Sequence, residues 1–247
     1  MVFRRKDGFQ VDEFSLNVSS DPFVMPVFSG KAPALNENEN AVIVTGDAFR
    51  IEISKKAGQI VSGNYDSKSI ITRGPMLNIS GTKDPLPDWV CTKVSAAIKN
   101  NLAMVTIEGK YAACKAVFTL QIDNSGIIET QYAVSDFNFE LLPQHEVPWN
   151  RQYYGGLKEV GIKYELTADI DRLSWDRKAL WSVYPDNHIG AVKGTALKII
   201  PENPNDWGTF TSDHGTYMNS NMRKEAFNNN FKSMKEYIRT ATVFASN

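Results

Sequence analysis

The sequence predicts an all-β protein built as a large antiparallel β-sandwich, and three observations carry that prediction. Apolar and polar residues alternate with a period of two: in "AVFTLQI" Ala116, Phe118, Leu120 and Ile122 share one face, while Thr119 and Gln121 share the other. "FRIEIS" and "IIETQYAV" repeat the pattern. Turn clusters such as "KKAG" and "DNSG" separate the runs at intervals of about 8–12 residues, the spacing of sandwiches and barrels. No long stretch carries the 3.6-residue period of an amphipathic helix. Sheets packed face to face produce such one-sided alternation, so helix should stay under about 15% of the chain.

Taken in order, residues 1–26 read as a tail or the last strand of a preceding module plus a linker. "FQVDEFSLNVSSDPFVMPV" alternates once and then breaks at Asp21-Pro22 and Met25-Pro26, because proline removes a ladder donor and restricts its predecessor. Residues 27–247 read as one sandwich domain. "SGKAPALNENENAVIVTG" is a loop leading into its first strand. Four strands then follow in meander, roughly 90–98, 102–109, 113–122 and 126–134, with turns at "KNN", "KYA" and "NSG". With Ile98 opposite Leu102, Cys91 lies opposite Gly109 and Cys114 beside Glu108, one on each side of the middle strand. Two strand spacings of about 5 Å then separate the cysteines, beyond the roughly 7 Å reach of a disulfide, so both thiols are expected free and partly buried. Further on, Ile170, Leu173 and Trp175 continue the apolar face of Ile162, Tyr164 and Leu166, which makes Trp175 a core residue. "MRKEAFNNNFKSMKEYI" has room for one short helical turn, since its asparagines oppose a longer helix.

The 247 residues are 42% hydrophobic and 22% charged, with a formal net charge of -1. That balance gives no electrostatic ground for nucleic acid or an acidic membrane surface as partner. No apolar run approaches the roughly 20 residues that span a bilayer, and the basic start "MVFRRKDGFQ" is not followed by the apolar core of a signal peptide. The sequence assigns no compartment. GxSxG, Walker A and GxGxxG patterns are absent from it. His145, His188 and His214 stand in unrelated contexts, so no metal site and no cofactor are expected.

What remains is a concentration of aromatic and polar residues in loops. "PLPDW" carries Trp89; "QHEVPWNRQYYGG" carries His145, Trp149 and Arg151; "LSWDRKALWSVYPDNHIG" carries Trp181, Tyr184, Asp186 and His188. Sugars present flat C–H faces rimmed by hydroxyls. A tryptophan supplies an apolar platform for such a face, and Asp, Asn, Arg or His supplies directional hydrogen bonds. These eight residues are the candidate carbohydrate contacts. The same residue types also close the ends of an ordinary sandwich, and both readings stay open here.

The order of motifs resembles the C-terminal β-sandwich domain of family-2 glycoside hydrolases, the fifth domain of the β-galactosidase architecture. Pro33, Gly46, Phe49, Lys55 and Gly58 match its opening, and Gly74, Pro75 and Asn78 match its Gly-Pro-x-x-Asn segment. Gly161, Asp171, Trp175, Tyr184 and Asp186 match its later strand and Tyr-x-Asp pair. The likeness spans about 31–190. The sequence departs from the family pattern at Ile79, Ser80 and a lone Asp84, at "DRKALW", at Ser182, and at Asn187 after Asp186.

The resemblance implies a supersandwich of the galactose-mutarotase type. In that family two glutamates on a separate (β/α)₈ barrel perform hydrolysis, and a retaining pair needs its carboxyls about 5 Å apart on a rigid frame. This sequence has no alternating βα pattern for such a barrel, which alone takes about 250 residues. The expectation is therefore an accessory module of a bacterial β-galactosidase-like enzyme, inactive alone, with the parent's barrel and a carbohydrate as partners. "YIRTATVFASN" ends on a strand where the family domain continues, which implies a shortened chain or a fragment. A free-standing mutarotase-like epimerase, with His and Glu on either side of a sugar ring, and a non-catalytic carbohydrate-binding module are the rival readings.

Overall fold

The computed structural model describes residues 2–13, 26–79, 86–142, 144–146, 153–155, 159–177, 193–198 and 237–245. In chain order the strands are β1 (Val2–Arg4), β2 (Gln10–Glu13), β3 (Ala34–Glu37), β4 (Ala41–Thr45), β5 (Phe49–Ser54) and β6 (Gln59–Tyr65). Next come β7 (Lys68–Ile79), β8 (Val90–Lys99), β9 (Leu102–Lys110), β10 (Lys115–Ile122), β11 (Ile128–Ser135) and β12 (Gln144–Glu146). The last are β13 (Tyr153–Gly155), β14 (Val160–Leu166), β15 (Ile170–Arg177), β16 (Lys193–Leu197) and β17 (Ile238–Ala245). Every pairing among them is antiparallel. The one helical element among the described residues is a 3₁₀ turn at Phe139–Leu141. The predicted all-β sandwich class is what the chain forms. Its contacts divide it into two compact units, Met25–Thr167 and Met1–Val24 with Ala168–Asn247.

The first unit is a two-layer sandwich. One sheet runs β14-β7-β6-β5-β4-β3 and the other β11-β10-β9-β8. Alternation decides which side chains meet between them. Val42, Val44, Ile51, Ile53, Ile60, Leu77 and Ile79 come from the first sheet; Ala103, Val105, Ile107, Ala116, Phe118, Leu120 and Ile122 come from the second. Phe118 and Leu120 are fully buried, and each such side chain contributes about 1.5–3 kcal/mol of transfer free energy. One margin of the sandwich is closed by tyrosines. Tyr132 donates to the Val160 carbonyl at 2.7 Å, and the Tyr164 and Thr130 hydroxyls share a bond of 2.7 Å.

Turn chemistry sets the registers. Asp66-Ser67 and Asn100-Asn101 all hold positive φ, at 46°, 63°, 50° and 61°, the geometry of two-residue hairpins that match strand twist. Gly58 closes the "KKAG" hairpin at φ 60°, and a Cβ there would lie 2.6 Å from the Cys91 sulfur. Only glycine meets both demands.

The meander matches its expected strands and order, with a corrected register. Lys99, not Ile98, faces Leu102; an irregularity between Cys91 and Lys93 then restores the Cys91–Gly109 pair. The two-residue turn at Asn100-Asn101 forces this shift, and a bulge absorbs the extra residue. Cys114 precedes β10 and its carbonyl accepts from Tyr111 N–H, so it does not sit beside Glu108. Both cysteines are free, Cys91 half-buried and Cys114 buried. The loop expected before the first strand itself contains the β3–β4 pair, turned at Asn38, whose side chain accepts from Asn40 and Ala41 N–H.

The second unit contains the β1–β2 hairpin and the sheet β16-β15-β17. Residues 5–9 turn the hairpin, with Gly8 at φ 86°, so the described residues 2–13 hold two short strands where the sequence suggested a tail or one strand. In the sheet, Trp175 faces Gly194 on one neighbour and Ala241 on the other. Two small residues flank one large one, and Trp175 is buried as expected. The expected continuity with the preceding strand does not hold: β14 pairs with β7, while β15 pairs with β16 and β17. Shared periodicity across a tight turn does not distinguish one sheet from two. The short helical turn expected in 222–238 falls almost wholly outside the described residues.

Candidate functional site

Of the loops singled out in the sequence, the one carrying Trp89 lies at one end of the four-stranded sheet. Val90, Lys110, Lys115 and Ser135 stand in one row across β8, β9, β10 and β11. Residues 86–89 enter that row, residues 111–114 turn within it, and residues 136–142 leave it toward β12 and β13. The meander topology therefore places "PDW", "YAAC" and "DFNFELL" at the same end.

Trp89 is half-buried, and its indole N–H donates to the Ala57 carbonyl at 2.8 Å. Its ring lies 4.8 Å from that of Tyr111 and 5.8 Å from that of Phe118. A Cβ on Gly109 would come within 2.3 Å of it. Those neighbours make Trp89 a plug that joins the "KKAG" hairpin to the second sheet, with its one polar atom engaged inside the protein. Tyr111 lies beneath it, 5% exposed, and its hydroxyl accepts from Leu77 N–H at 3.0 Å. Burial pushes the Tyr111 hydroxyl above its ordinary pKa, and the Leu77 bond offsets part of that rise. Neither Tyr111 nor its bond to Leu77 was a sequence candidate; a tyrosine in "KYA" carries no signal that its hydroxyl serves a distant strand.

The loop after β11 is tied down locally. Lys115 pairs with Asp136 at 2.6 Å. Asn138 N–H donates to the Ala113 carbonyl at 2.8 Å, and the Asn138 side chain caps the 3₁₀ turn through Glu140 N–H. Phe137 packs against the core and stacks on Phe139 at 5.8 Å. Phe139 and Leu141 are exposed. From there the chain runs to β12, where the His145 backbone faces Tyr154 of β13. Trp149, Arg151, Trp181, Tyr184, Asp186 and His188 lie outside the described residues.

The opposite end of the sandwich holds a buried carboxylate. Asp123 is 0% exposed. It accepts from Ser29 N–H (2.7 Å), Ser125 N–H (3.0 Å), the Ser125 hydroxyl (2.8 Å) and Ile127 N–H (2.9 Å). Burial pushes its pKa up, but the bonds from Ser29, Ser125 and Ile127 outweigh burial and hold it below the usual carboxylate range. Four donors saturate this group, so it organises the turn and leaves no acceptor for a substrate.

Among the described residues no group of three or more His, Cys, Asp or Glu is arranged to hold a metal ion, and no helix is long and apolar enough to cross a membrane. The motif residues Pro33 and Phe49 are buried, and Lys55 pairs with Glu37 at 2.7 Å. These shape the sandwich rather than line a cleft.

No family model matches the chain. A β-galactosidase of Priestia megaterium is 25% identical to it over 228 residues, covering 77% of the chain and 20% of that protein. The chain thus spans about a fifth of the length of the curated relative it matches. The similarity is that of one domain within a longer glycosidase.

Proposed function

We propose that the chain is an accessory C-terminal β-sandwich module of a family-2 glycoside hydrolase of the β-galactosidase type. In this reading it supports a separate catalytic barrel and lends loop side chains to the sugar pocket. One observation carries the proposal: a similarity to a β-galactosidase that runs along 77% of this chain yet occupies only 20% of the larger enzyme. The antiparallel sandwich of the described residues agrees with it.

The sugar contacts proposed are His145, Trp149, Arg151, Trp181, Tyr184, Asp186 and His188, with the tryptophans as platforms and the others as hydrogen-bonding partners. Trp89 is the weakest of the original eight, because its N–H and much of its ring are engaged by Ala57, Tyr111 and Phe118. Titrating the chain with galactose while following tryptophan fluorescence tests this set. A saturable change that disappears in Trp181→Ala is expected. No saturable change with galactose, glucose or mannose would remove the sugar-contact part of the proposal.

A further inference from the structure

Residues 26–33 belong to no strand, yet they are held to the sandwich at two separate points. Ser29 N–H reaches Asp123, 94 positions away in sequence, at 2.7 Å. Lys31 pairs with Asp47 at 2.8 Å, and Asp47 N–H in turn donates to the Asn124 carbonyl at 3.1 Å. Pro33 is buried just before β3 begins. A segment without strand pairing ordinarily owes its position to its neighbours in sequence. Here the holding groups come from two other loops, 46–48 and 123–127.

We infer that residues 28–33 are a strap fastened to the end of the sandwich by Asp123 and Asp47, so that the chain enters this unit at a fixed point, Ser29. The two fastenings differ in strength. Lys31 and Asp47 are both about two-thirds exposed, and such a pair contributes little in water. The Asp123 bond is made by an ionised, fully buried carboxylate, where a charge-assisted bond is stronger and its loss leaves a donor unsatisfied. Asp123 also receives Ile127 N–H, on Oδ1 where Ser29 N–H holds Oδ2, so strap and hairpin turn share one carboxylate. The strap therefore opens and closes with the β10–β11 turn.

The test is hydrogen exchange combined with limited trypsin digestion of the full chain. Lys31 is exposed and offers trypsin a cleavage point, but cleavage needs the segment to detach. In the unaltered protein the Ser29 and Ile127 amides should exchange at similar, slow rates. Ser29→Pro deletes the donor and leaves the turn intact. It should speed cleavage after Lys31 roughly tenfold, as loss of one hydrogen bond to a charged group implies, while the amides of β9 and β10 keep their protection. Rapid exchange at Ser29 alongside a protected Ile127 would overturn the inference, as would cleavage after Lys31 at one rate in both proteins. If Ser29→Pro fails to fold, the comparison of the two amides in the unaltered chain decides alone.

Discussion

The indole of Trp175 occupies the space above Gly194, its partner across the β15–β16 pair; a Cβ at position 194 would lie 2.3 Å from Trp175 Cζ2. Gly194→Ala should therefore cost about 1–3 kcal/mol, the range for overpacking, and Trp175→Ala about 3–5 kcal/mol. In the Trp175→Ala background the glycine change should become nearly neutral, because the ring it collides with is gone. Urea denaturation of the four proteins measures this cycle. Additive costs would show that the two residues do not share one space.

Acid should weaken the sandwich through Asp123. Its folded pKa is held below the usual carboxylate value, so its stabilisation is fully present above the unfolded value of about 3.9 and is lost as pH falls through the folded pKa. Below about pH 4 the stability of Asp123→Asn should fall less steeply than that of the unaltered chain. Denaturation midpoints measured at several pH values between neutrality and strong acid check this. Parallel slopes would exclude Asp123 as a contributor.

Both thiols should remain unpaired. Burial pushes the pKa of Cys91 and of Cys114 upward, which lowers their thiolate fraction at neutral pH. In the folded chain Cys91, half-buried, should react with a thiol reagent before Cys114, which is buried. After unfolding without reductant both should label. Mass spectrometry reads both results, and a native Cys114 that labels first would contradict the packing described for the turn at 111–114.

Two tyrosine hydroxyls should differ in worth. Tyr111→Phe leaves the buried Leu77 N–H without its acceptor, at a cost of about 1–3 kcal/mol. Tyr132 is 41% exposed, so Tyr132→Phe lets water replace its bond to the Val160 carbonyl and should stay within about 1 kcal/mol. Thermal melts of the two variants compare them directly.

The core of this fold was legible because burial on one face leaves a period of two in the sequence. Phe118, Leu120 and Ile122 declare their face without any structure, and the meander order follows from short turns. Register was less legible: the Asn100-Asn101 turn and the irregularity beside Thr92 shift pairing by one residue each way, and composition does not show a bulge. The separation of β14 from β15 was not legible at all, since both strands carry the same alternation. At the loop end, "PLPDW" announced a tryptophan but not its role. The reach of Trp89 to Ala57, and of Tyr111 to Leu77, joins residues 32 and 34 positions apart; only the folded sheets bring them together.

In the proposed reading the chain supports glycoside hydrolysis performed by a separate barrel. The most direct test of that reading is the hydrolysis of nitrophenyl β-galactoside by the purified chain, with each Asp and Glu of the sandwich loops changed in turn. Turnover at background is expected for the unaltered chain and for every variant. Turnover above background that one carboxylate change abolishes would contradict the reading, and would place a catalytic centre within this chain.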